Sequence, residues 1–125
     1  MPTVAAGSVG TLHRIGGASI DNLRLKRAEM MLAVPGISVL KADSPGAAAA
    51  AIRAAFPRAQ GLQAAAATVG SATEDAVRGA GFDVMPHPTT RFPNHYRIIH
   101  PDGAAGFSDA NLAKLASAFT ITTGH

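Results

Sequence analysis

The chain is 125 residues long, 47% hydrophobic and 15% charged, which suits one folded domain and excludes a disordered tail or two full cores. It has no cysteine, so disulfides, a thiolate nucleophile and Cys-ligated zinc are excluded, in keeping with a reducing, cytoplasmic setting. The net charge of +3 is compatible with a nucleotide, RNA or DNA partner, and no stretch approaches the roughly 18 apolar residues of a membrane span.

Residues 1–10 lack the basic and apolar regions of a signal peptide and read as a flexible lead-in to a single domain over 11–125. Thr11 to Ile15 reads as a strand closed by Gly16 and Gly17, and Asn22 to Leu25 as a second short strand. Lys26 to Ala33 predicts a helical turn or two before Pro35-Gly36. Ile37 to Lys41 is β-branched and follows that turn, so it predicts a strand. Ser44 and Pro45 are a helix start, as N-cap and first helical residue, and Pro57 stops that helix at about Phe56. Ile52 and Phe56 share one of its faces.

Gly61 to Thr68 predicts an alanine-rich helix. Ser71-Ala72-Thr73-Glu74 has the form of a capping box opening a helix that ends at Gly81 in a left-handed cap. Phe82 to Met85 and Asn94 to His100 predict strands on either side of a proline-rich loop. Ser108 and Asp109 open a last helix, with Leu112, Leu115 and Phe119 along its apolar face. The order implies an α+β fold, a small mixed sheet covered by four to five helices. Aromatic residues are scarce, so the core rests on aliphatic side chains and close alanine packing.

Three clusters carry candidate chemistry. Arg91 to Gly103 holds Arg91, Arg97, His95, His100, Tyr96 and Asp102. On a regular strand His95, Arg97 and Ile99 face one way, and Tyr96, Ile98 and His100 the other, so the two histidines do not share a face. His13-Arg14-Ile15-Gly16-Gly17 ends a strand with a guanidinium and two glycines, either a phosphate-binding turn or a plain one. Arg24, Lys26 and Arg27 form either a phosphate-binding patch or a solvated strand edge. The histidine spacings match no metal-binding motif, and no metal is expected.

His13-Arg14 on a first strand, Ser38 on a later strand before the Ser44 helix, and Tyr96 together resemble a small bacterial toxin domain of the ADP-ribosyltransferase-like kind. That resemblance implies NAD as cofactor, with His13 and Arg14 holding it, Ser38 bracing the nicotinamide pocket and Tyr96 stacking. The family's late catalytic glutamate has no counterpart after Glu74, which leaves His100, Asp102 or Asp109 to polarise the ribose. On this reading Arg14→Ala removes NAD binding with little change in melting temperature. A toxin also implies a cognate antitoxin or immunity protein, a tRNA or protein target, and either a free chain or delivery as part of a larger protein.

Two other readings stand beside it. One is a metal-independent ribonuclease in which His95 and His100 supply acid and base and Arg97 stabilises the phosphorane, with Arg24, Lys26, Arg27 and Arg91 on the nucleic acid. The other is a non-catalytic binding or assembly module.

Overall fold

The computed structural model describes residues 11–125; the expected lead-in over residues 1–10 lies outside them. Strands β1 (Thr11–Ile15), β2 (Gly36–Lys41), β3 (Val69–Thr73), β4 (Asp83–Pro86), β5 (His95–Ile99) and β6 (Thr120–Thr122) form one sheet in the order β4-β5-β2-β1-β3-β6. All five ladders run antiparallel, so the sheet is antiparallel rather than mixed. Six helices accompany the sheet among the described residues: α1 (Ile20–Leu23), α2 (Arg27–Met30), α3 (Pro45–Ala55), α4 (Gln60–Ala65), α5 (Glu74–Gly79) and α6 (Asp109–Ser117). The fold is α+β, and no helix among these residues is long and apolar enough to cross a membrane.

Most elements follow from local chemistry. The Ser44 side chain accepts from Ala47 N and Pro45 opens α3; Ser108 accepts from Asn111 N at the start of α6. Gly81 takes φ +94° just beyond α5, as a left-handed cap requires. Two segments differ from expectation. Asn22 to Leu25 is not a strand, because Ser19 accepts from Asn22 N at 3.1 Å and caps α1 instead. Ser71 is not a helix cap, because it lies inside β3 opposite His13; the cap is Thr73, which accepts from Ala76 N at 3.1 Å. Glu74 accordingly leaves the cap free and pairs with Lys41 at 2.5 Å and Arg78 at 3.3 Å.

Antiparallel registers sort the side chains into two layers. Leu12, Ile37, Val39, Ala72 and Ile98 face the main core, closed by Leu23 of α1, Val77 of α5, Leu112 and Leu115 of α6, and Phe82, Phe107 and Phe119. Leu112 and Leu115 are fully buried, and each such side chain stabilises the fold by about 1.5–3 kcal/mol. Truncating Leu112 to alanine is therefore expected to cost about 2–5 kcal/mol, read as a fall in urea midpoint at unchanged m-value. On the opposite face α3 packs across β1 and β3, where Ala49, Ala66, Val69 and Ile15 meet. The β2–β5 half of that face is left open as a cavity.

Candidate functional site

The cavity has a volume of about 1010 Å³ and a floor built from the open sheet face. Register pairs His13 with Leu40, Leu40 with His95, and Ser38 with Arg97, so these side chains rise side by side from three adjacent strands. Arg14, Asn22 and Lys26 close one end, Ile52, Phe56 and Leu62 of the α3–α4 region form a wall, and the loop after β4 brings His87, Arg91 and Phe92. The lining holds Arg14, Lys26, Arg91 and Arg97 but no aspartate or glutamate. Four cations around a concave, partly apolar space make a site for an anionic organic ligand.

Arg14 is only 6% exposed. Its Nε donates to Asn22 Oδ1 at 2.9 Å, Nη1 to Ser38 O at 2.9 Å and Nη2 to Asn22 O at 2.7 Å. All three acceptors are neutral. Burial pushes its pKa downward, and the charge of Glu29 works against that shift. A buried guanidinium whose bonded acceptors are all neutral leaves a charge in the cavity wall that the more distant Glu29 offsets only in part. The local sequence explains how it is held. Gly16 and Gly17 both take positive φ, +93° and +101°, and turn the chain back so that Ser19 starts α1 and Asn22 lands on Arg14.

His13 is 1% exposed, with Nε2 donating to Ala42 O at 3.0 Å and Nδ1 accepting from Ser71 Oγ at 2.7 Å. Both ring nitrogens are thus used within the fold. His95 is 8% exposed, and its Nδ1 donates to His87 O at 2.8 Å. Burial pushes both pKa values below the ordinary histidine value of 6.5, with the bonds to Ala42 O and His87 O opposing it and Arg97 and His87 adding to it at His95. The sign is that of a base held neutral in the fold and protonated more readily when unfolded. Stability is therefore expected to be full above about pH 6.5 and to fall as pH drops from there toward the folded pKa values. The urea midpoint between pH 7.5 and 5 reads this, and a midpoint that does not move on acidification would refute it.

Arg97 donates through Nη1 to Gly36 O at 3.0 Å, while its buried Nε has no hydrogen-bond partner among the described residues. Above it the guanidinium of Arg91 lies 4.9 Å from the Phe56 ring centroid, and Phe56 and Phe92 are 6.0 Å apart. These rings, tilted 39° to each other, and the guanidinium form a partly apolar rim that suits the packing of a planar heterocycle.

The structure gathers His13, Arg14, Lys26, Ser38, Arg91, His95 and Arg97 into this cavity and separates the other sequence-derived candidates from it. Tyr96 points to the opposite side of the sheet, where Lys41 Nζ lies 4.3 Å above its ring, because neighbouring residues of a strand alternate. His100 lies on that opposite side too, as the alternation predicts. It packs edge-on to Phe82 at 4.9 Å, and its Nδ1 accepts from Asp102 N at 3.1 Å. Asp102 and Asp109 are exposed. Arg24 pairs with Asp21 at 3.1 Å and Asp109 at 2.5 Å, tying α1 to α6, and Arg27 opens α2, so Arg24, Lys26 and Arg27 do not form one strand edge.

Three contributors escaped the sequence reading. Phe56 had a signal, since it shares a helix face with Ile52, but that face borders the cavity rather than the core. Phe92 and His87 sit in the proline-rich loop and reach the site only through the β4–β5 pairing. Among the described residues no group of three or more His, Asp or Glu side chains is placed to hold a metal ion. No protein-family profile, curated protein or solved structure matches this chain.

Proposed function

We propose that the chain is a toxin-like enzyme that binds NAD in this cavity and breaks its nicotinamide–ribose bond, passing ADP-ribose to water or to an acceptor. The observation that carries the reading is the convergence of Arg14, Lys26, Arg91 and Arg97 on one cavity whose lining has no carboxylate. Of the residues on which the resemblance rests, His13, Arg14 and Ser38 belong to the same cavity, while Tyr96 lies across the sheet from it.

The geometry reassigns the roles within that reading. Arg14 has its donors bound to Asn22 and Ser38, so it contributes charge at the pyrophosphate end while Arg97 Nη2, Arg91 and Lys26 make the contacts. Stacking passes from Tyr96 to Phe56, Phe92 and Arg91. The base passes from His100 or Asp102 to His95, the candidate acid–base group on the cavity side with a free nitrogen. The C1′–N bond breaks with its electron pair leaving on neutral nicotinamide. The nucleophile that captures the ribosyl cation gives its proton to His95 Nε2.

Nicotinamide release from NAD by the purified protein tests the reading. Release is expected, and a protein that releases no nicotinamide would refute the reading. A second prediction separates ligand contact from fold. Arg97→Met is expected to weaken ADP-ribose binding roughly tenfold or more, since a charge-assisted bond is worth about 1.5–3 kcal/mol. It also removes a buried donor without a partner, so the melting temperature is expected to change by no more than a few degrees. Calorimetric titration and a thermal melt read the two effects, and unchanged affinity would remove Arg97 from the site.

His13, His87, His95, Arg91 and Arg97 in one cavity also supply the residue types of a metal-independent ribonuclease. Cleavage of tRNA in the absence of NAD would favour that second reading.

A further inference from the structure

The β4–β5 pairing folds the chain beyond Pro86 so that His87 N donates to His95 O at 2.9 Å. The same register brings the two imidazoles together, their ring centroids 5.2 Å apart and edge-on, their Nδ1 atoms 3.3 Å apart. His95 Nδ1 is also 2.8 Å from His87 O. A carbonyl only accepts, so His95 carries its proton on Nδ1. His87 Nδ1 is then a second acceptor for the same N–H. His95 Nε2 has no hydrogen-bond partner among the described residues and is not among their buried unpartnered atoms, so it opens into the cavity that His95 lines.

We propose that His87 is a positioning residue whose carbonyl and ring together fix His95 in the Nδ1–H form, leaving His95 Nε2 as the base that faces substrate. Only the identity of that substrate rests on the NAD reading.

Nitrogen-15 NMR of the histidine rings reads the tautomer without any substrate. The unaltered protein at pH 7.5 is expected to show His95 as Nδ1–H, His87→Ala a mixture of tautomers, and His87→Gln, whose amide oxygen accepts without titrating, the Nδ1–H form again. In nicotinamide release His87→Ala is expected to lower kcat roughly tenfold or more, because a misoriented base loses much of its general-base contribution. His87→Gln is expected to recover most of that loss. An unchanged His95 tautomer in His87→Ala would overturn the proposal, as would a His87→Gln variant that recovers neither the Nδ1–H form nor the lost rate. If the unaltered protein releases no nicotinamide, the NAD reading fails and the tautomer comparison alone decides the role of His87.

Discussion

Arg14→Ala is expected to destabilise the domain by about 3 kcal/mol and to lower its melting temperature by roughly 10 °C. The side chain is almost fully buried and satisfies Asn22 Oδ1, Asn22 O and Ser38 O at once. Truncation leaves all three oxygens without that donor and releases α1 from the end of the sheet. Removing a buried charge returns part of its desolvation cost, but three orphaned acceptors outweigh that return. The expectation from sequence, loss of ligand with little loss of stability, gives way here because the guanidinium is a structural clamp as well as a charge. Arg14→Lys keeps the charge but lacks the fork needed for three acceptors, so it is expected to lose most of the same stability. Thermal melts with and without ADP-ribose separate the two functions. The unaltered protein is expected to gain stability from the ligand, and the alanine variant to gain none. An alanine variant that melts where the parent does would show that the three bonds contribute nothing.

Gly70→Ala is the second large effect, at about 2–3 kcal/mol. Gly70 pairs with Arg14 across the β1–β3 ladder, and the Gly16-Gly17 turn folds directly over it. A methyl group there would lie 2.8 Å from Ala18 Cβ and 3.1 and 3.2 Å from the Gly17 carbonyl carbon and oxygen. Two of those neighbours are backbone atoms, so the turn itself must move, taking Asn22 away from Arg14. Loss of stability and loss of ligand affinity are expected together. Faster amide exchange in α1, with β2 and β5 still protected, would place the damage at the turn. A variant with parental melting temperature and parental α1 protection would refute the packing argument.

The sequence by itself determined the elements whose signals are local. The Ile37-Ser38-Val39 run with its two β-branched residues, the Ser44-Pro45 start, the Ser108 cap and the left-handed Gly81 each depend on a few adjacent residues, and each forms where expected. The alternation along β5 also determined that His95 and His100 would part. Tertiary pairing decided the rest. Val69–Thr73 carries glycine, serine and alanine with weak strand preference. It is extended because β1 and β6 hydrogen-bond both its edges, and that drew Ser71 out of a helix cap and onto His13. Ser19 similarly turned an expected strand into α1, which then found Arg14. The cavity was the least legible feature. Its occupants come from β1, β2, β5, the α3–α4 region and the proline-rich loop, and no local pattern records which face of the sheet α3 leaves uncovered. His95 and Tyr96 are neighbours in the chain, and only the side on which the helices pack places one at the site and the other across the sheet from it.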